Sequence, residues 1–254
     1  MSPRFTLPPQ FHPFVVIGQA DALEVRLELR PHWGNPRAGV LQAKMEGDRL
    51  RYERTDLRFL GRRGDGQEAQ DSVEAIFDGS EGAFEAVIQL SLQWALRPRG
   101  GLLLHASAGI WRGGAWLMPG VSGTGKSTAA RRGGFDAVLA DEMVVVRRGA
   151  QPGAGFDVWG TPFWSPDRPL PLHIGRAPLH TLAKLSWART PQISPLNAAE
   201  ASAWLLSSVV LYETSTHARE SAFALACDVA QEARCVRLAF PKEGPWLHKL
   251  SVVS

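Results

Sequence analysis

Gly120-Val121-Ser122-Gly123-Thr124-Gly125-Lys126-Ser127-Thr128 satisfies the whole G-x-x-x-x-G-K-[ST] pattern of a phosphate-binding loop. Gly120, Gly123 and Gly125 let the backbone curl around an anion, so that successive N–H groups from Ser122 to Ser127 converge on it. Lys126 then reaches the β- and γ-phosphates of a nucleotide and Ser127 offers its hydroxyl to Mg²⁺. A helix opening near Gly125 points the positive end of its dipole at the same charge. The candidate nucleotide-binding residues are therefore Gly120, Ser122, Gly123, Thr124, Gly125, Lys126, Ser127 and Thr128. A glycine-rich turn with an incidental lysine is the competing reading.

Context separates the two, because the loop must follow a strand and open a helix. Ala115-Trp116-Leu117-Met118 is an apolar run suited to a buried strand, and Ser127 to Arg132 is a helical stretch closed by Gly133-Gly134. Upstream, Glu81 to Arg97 repeats apolar residues at helical spacing (Phe84, Val87, Ile88, Leu92, Leu96) and stops at Pro98. Leu102 to Ala108 reads as a strand buried on both faces, turned back by Gly113-Gly114.

Downstream, Ala137 to Glu142 is an apolar strand ending in two carboxylates, with Asp141 only 15 positions after Lys126. Hard oxygen ligands at such a strand end are what Mg²⁺ and the reacting hydroxyl need. Adjacent residues on a strand face opposite sides, so Asp141 and Glu142 take different roles unless the strand ends or kinks there. A solvated Asp-Glu turn is the alternative. His105 lies on the strand before the loop, where a lone histidine also reads as a core residue with one satisfied hydrogen bond.

The remaining elements follow from pattern. Leu23 to Arg30 alternates apolar and charged residues as a half-buried strand does, and Phe14 to Ile17, Leu50 to Arg54 and Val73 to Phe77 are further strands. Gly61 to Gly66 reads as a mobile loop tip, and the proline-rich piece Thr161 to Pro171 as irregular. Met143 to Arg147, Phe156 to Trp159, Leu182 to Trp187 and Val236 to Phe240 are expected strands. Helices are expected over Asn197 to Tyr212, with Asn197 as cap and Glu200 three residues on, and from Arg219 to Glu232. The division that results is a β-rich region over residues 1–80 and a P-loop catalytic region over 81–254.

Composition narrows the class. A chain of 254 residues that is 44% hydrophobic can bury a sizeable core. Its 28 basic residues are scattered and nearly balanced by 25 acidic ones, which argues against nucleic acid as partner. No run approaches membrane-spanning length and the first residues lack a signal-peptide core, so no membrane partner and a cytoplasmic location are expected. Cys227 and Cys235, without C-x-x-C spacing, read as buried free thiols. Most of the nine tryptophans are expected in the core.

Leu104-His105-Ala106, then Gly120 to Thr128, then Leu139-Ala140-Asp141-Glu142, taken in that order, resemble the catalytic domain of the HPr kinase/phosphorylase-like family. The resemblance extends from about Glu81 to the C-terminus. It implies an α/β fold: a phosphoenolpyruvate carboxykinase-like mixed β-sheet core carrying the P-loop, with flanking helices. The β-rich N-terminal part lies outside the resemblance, and its strands are expected to extend the core sheet or present a surface for a peptide substrate. The resemblance also implies transfer of the γ-phosphate of ATP, with Mg²⁺, to a hydroxyl, foremost a serine of a protein or peptide. The alternatives are a small-molecule acceptor and a nucleotide-binding adaptor that transfers nothing. Carried across by residue, the catalytic set is His105 hydrogen-bonding Asp141 as base, with Lys126 stabilising charge and Glu142 joining Ser127 on the metal. The second acidic position is Asp in bacterial HPr kinases and Glu142 here. Arg176 is a candidate contact to the transferring phosphate or else a surface arginine, and a homo-oligomer is implied.

Overall fold

The computed structural model describes residues 5–14, 23–31, 42–64, 71–149, 151, 153–163, 173–213 and 215–250. The fold is mixed α/β, rich in sheet and sparing in helix. It divides into two compact units, Met1–Pro98 with Leu211–Arg219, and Arg99–Val210 with Glu220–Ser254. The sequence division after residue 80 falls before the first α-helix, whereas the compact units divide after Pro98.

In the first unit a 3₁₀ helix (Pro9–Phe14) precedes β1 (Glu24–Leu29), β2 (Gln42–Glu46), β3 (Arg49–Glu53), β4 (Leu57–Arg62), β5 (Ser72–Phe77) and α1 (Glu81–Leu96). The strands form a sheet of their own in the order β1-β5-β4-β3-β2, with β1 parallel to β5 and the rest antiparallel. They do not extend the sheet that carries the phosphate loop, which corrects one expectation. Alternation explains β4, where Leu57, Phe59 and Gly61 are buried and Arg58 and Arg62 exposed. α1 starts where the Ser80 hydroxyl accepts the Ala83 N–H at 3.3 Å, and buries Phe84, Val87, Leu90 and Trp94 along one stripe. That stripe packs on β4 and β5.

The second unit opens with β6 (Gly101–Trp111) and β7 (Gly114–Pro119), joined at Arg112-Gly113 where both residues have positive φ, the two-residue hairpin geometry. Then come α2 (Lys126–Arg132), β8 (Ala137–Ala140), β9 (Met143–Arg148), β10 (Phe156–Trp159), β11 (Arg176–Trp187), β12 (Gln192–Pro195), α3 (Ala198–Leu206), α4 (Thr216–Glu232), β13 (Arg234–Phe240) and a 3₁₀ turn, Leu247–Lys249. α4 is common to both units.

The eight-stranded sheet runs β10-β9-β6-β7-β11-β13-β12, with β8 also on β6. A further β10–β11 pairing closes β6, β7, β9, β10 and β11 into a ring. β7 shows why its sequence is apolar throughout: Ala115 and Leu117 face one core with Leu104, Leu182 and Leu205, while Trp116 and Met118 face another with Ala129, Leu238 and Trp246.

β8 and β9 form one lane along β6, interrupted at Asp141-Glu142. Ala140 pairs with Ala108 and Met143 with His105, so the register is kept across the break. β6 is antiparallel to that lane and to β7, while β7 is parallel to β11 and β11 to β13. The carboxyl ends of β7, β8, β11 and β13 therefore share one edge, the edge at which open α/β sheets carry ligands.

Several boundaries moved. The strand expected over residues 137–142 stops at Ala140, and the one expected from Leu182 begins at Arg176. The helix expected to reach Tyr212 ends at Leu206, because the Val210 N–H donates to Leu103 O at 2.9 Å and Val209 bridges Leu104, drawing the chain onto β6. β2, β4 and β12 were not expected, and Gly61-Arg62, expected in a loop tip, closes β4. Phe14 belongs to a 3₁₀ helix instead of a strand, while residues 15–17, 65–66 and 164–171 of the expected segments lie outside the described residues. Among the described residues no helix is long and apolar enough to cross a membrane. Cys227 and Cys235 are free thiols, half-buried instead of buried.

Candidate functional site

The phosphate loop joins the carboxyl end of β7 to α2, as the motif requires. Gly125 has φ 94°, and a Cβ there would lie 2.7 Å from Trp187 Cζ2 and 2.9 Å from Phe240 Cζ. Glycine is demanded twice over, by the left-handed backbone and by close approach. Gly123 has φ 85° with open space around it, so there the backbone alone makes the demand.

The Val121 carbonyl organises the loop. It accepts the Thr124 hydroxyl at 2.9 Å and the Lys126 ammonium Nζ at 3.0 Å. From below, the buried Ser107 hydroxyl donates to the Lys126 carbonyl at 3.1 Å, tying the start of α2 to β6. Ser107 had not been singled out in the sequence, although its place two residues after His105 on a strand puts both on one face. Lys126 is 6% exposed. Burial pushes its ammonium below the usual lysine range, and the carboxylates Glu142 and Asp141 act in the opposite direction.

His105, the loop and the carboxylate pair meet in one hydrogen-bonded row. Ala106 pairs with Pro119 and its N–H donates to Glu142 O at 3.1 Å, while the His105 carbonyl accepts the Gly120 N–H at 3.3 Å. Ala108 lies between Leu117 of β7 and Ala140 of β8, so Asp141 and Glu142 follow β8 at the level where β7 gives way to the loop. The strand ends before the pair, the condition under which both carboxylates can serve one site.

Their environments differ. Asp141 is fully buried. Glu142 keeps 40% of its side chain exposed, and its Oε1 accepts from His105 Nε2 at 3.1 Å, the imidazole being 31% exposed. The His105 hydrogen bond holds the Glu142 carboxyl below the usual range; burial opposes this, and the nearby charges of His105 and Lys126 support it. The resemblance implied that His105 would bond Asp141, and the structure pairs it with Glu142. The reason is register: the bend turns the second carboxylate toward the β6 row.

Arg176 is not part of this cluster. It begins β11, three residues before Leu179, which pairs with Ala115 near the start of β7, so it lies at the opposite end of that strand from the loop. Its guanidinium binds Asp157 Oδ2 at 2.9 Å and lies over the Trp159 ring. The surface reading of Arg176 is the one the fold supports.

The donors beside the loop are the Ser127 hydroxyl and the two carboxylates. Hard oxygens of this kind fit Mg²⁺, which takes one or two protein oxygens and completes its shell with phosphate and water. No group of three or more His, Cys, Asp or Glu is placed to hold a metal ion among the described residues.

A family model described as SynChlorMet cassette protein ScmC matches residues 85–251. No curated protein matches the chain. The match overturns the resemblance to the HPr kinase/phosphorylase-like family: the family found is ScmC, and no kinase family model matches. The residues that carried the resemblance are a phosphate loop, a strand ending in carboxylates and a neighbouring histidine. Motifs of this kind recur on unrelated scaffolds and do not by themselves fix a family.

Proposed function

The chain belongs to the SynChlorMet cassette protein ScmC family, and from its site we propose a nucleoside-triphosphate-dependent phosphotransferase that moves the γ-phosphoryl group of ATP to a hydroxyl. The carrying observation is the convergence of Lys126, Asp141 and the His105–Glu142 pair on the loop at the carboxyl edge of the sheet.

In this reading the loop N–H groups and Lys126 bind the β- and γ-phosphates. Ser127 and Asp141 hold Mg²⁺, which supplies neutralisation of the charge on the transferring group when bound. Glu142, the more exposed carboxylate, faces the acceptor. The acceptor oxygen bonds to the γ-phosphorus, the bond from that phosphorus to the β,γ-bridging oxygen breaks, and the acceptor proton passes to Glu142. His105 is a positioning residue: its Nε2–H fixes the Glu142 carboxylate so that one oxygen stays directed at the acceptor. Asp141 and Glu142 thus exchange the roles the resemblance had given them, because the partner of His105 is Glu142.

The family's description as a cassette protein makes a serine of a companion protein or peptide the acceptor to test first. Incubation with γ-labelled ATP, Mg²⁺ and extract, read by mass spectrometry, tests the reading. A phosphorylated peptide or protein supports it in full, and a phosphorylated small molecule moves the acceptor class. Tight ATP binding without γ-phosphate loss against every acceptor fraction overturns the transferase in favour of a binding protein.

A further inference from the structure

We propose that Trp187, at the end of β11, is the stacking platform for the base of the nucleotide whose phosphates the loop holds; this rests on the nucleotide reading above. Among the described tryptophans Trp187 is the exposed one, with 42% of its surface open, whereas Trp94, Trp116 and Trp246 are at most 2% exposed.

Its orientation is fixed from behind. Trp187 pairs with Phe240 across β11 and β13, their ring centroids 4.7 Å apart, and the Ala188 N–H donates to Phe240 O at 2.9 Å. Phe240 is fully buried, so the indole has one covered face and a firm support. Its edge abuts the loop: a Cβ on Gly125, the residue before Lys126, would lie 2.7 Å from Trp187 Cζ2. Lys242 Nζ lies over the indole ring, 5.6 Å from its centroid, on an exposed side chain that a stacking base displaces.

A nucleotide lying along the carboxyl ends of β7, β11 and β13 with its phosphates in the loop has its base within reach of this ring. A flat heteroaromatic base stacks on an indole whatever its hydrogen-bonding edge, so the platform favours purines for their area and discriminates weakly between adenine and guanine. The other exposed large hydrophobic residues among those described are Leu27, Val121, Ile174 and Phe223, of which Phe223, on α4, is the aromatic one.

The test is calorimetric titration of the full chain with MgATP and with Mg-triphosphate, which has no base, for wild type, Trp187→Ala and Trp187→Phe. The expected result is ATP affinity weakened about ten- to a hundredfold in Trp187→Ala, unchanged triphosphate affinity, and most ATP affinity retained in Trp187→Phe. Equal ATP affinity in wild type and Trp187→Ala overturns the platform while leaving the loop reading intact. Parallel loss of ATP and triphosphate binding in both variants also overturns it, since the indole then acts only as a prop for Gly125. Wild type binding neither ligand overturns the loop reading, and the platform with it.

Discussion

His105 Nε2 and Glu142 Oε1 stand 3.1 Å apart at the break between β8 and β9, beside the phosphate loop. The contact makes Glu142 a stronger acid than an ordinary glutamate. A carboxyl whose folded value lies below its unfolded one adds stability that is present above the unfolded value and lost as pH falls through the folded one. Carboxyl-carbon NMR titration should give Glu142 a midpoint below that of an ordinary glutamate, moving up toward it in His105→Ala. A wild-type midpoint at or above the ordinary glutamate range contradicts the pairing.

Role exchange between the carboxylates separates two variants. Glu142→Gln should lower the phosphotransfer rate by about 10²–10⁴-fold with ATP affinity nearly unchanged, the effect of losing a proton acceptor. Asp141→Asn should weaken Mg²⁺-dependent ATP binding. Steady-state kinetics with binding measured separately decides, and the reverse pattern would restore Asp141 as the base.

Lys126→Ala removes the cation that meets the phosphates. ATP affinity should fall by ~3 kcal/mol, about a hundredfold, from the loss of charge-assisted hydrogen bonds. Thermal stability should hold or rise, because burial already disfavours the ammonium. A large drop in Tm would show that the lysine is structural.

Two loop glycines should respond differently. Gly123→Ala meets only an unfavourable φ of 85° and should cost ~1 kcal/mol, whereas Gly125→Ala adds collision with Trp187 and Phe240 and should cost about 3 kcal/mol. Urea denaturation of both variants checks the order.

In the first unit, Glu213 keeps 4% of its side chain exposed and is held by Arg97 and the Ser215 hydroxyl. Arg97→Ala leaves that carboxylate buried and short of its counter-charge, for a loss of ~3 kcal/mol. Glu213→Gln in the Arg97→Ala background should recover part of it, measured by the same denaturation.

The sequence by itself determined what depends on neighbours along the chain. Gly123, Gly125 and Lys126 announce a phosphate loop because positive φ and a lysine at fixed spacing are local demands, and Asn197 announces its helix because a cap acts within one turn. The apolar run of β7 announced a buried strand for the same reason. The alternation of Leu57, Phe59 and Gly61 was there to be read as β4 and was obscured by the glycine-arginine stretch beyond it. Tertiary structure alone decided which distant residues meet. It joined His105 to Glu142, set Arg176 at the far end of β11 on Asp157, ended α3 where Val210 reaches Leu103, and left Trp187 open against Gly125. Each of those outcomes follows from strand register and direction. Sliding one strand by a single residue reverses every side chain on it, and no local pattern in this chain records which partner strand a given residue will face.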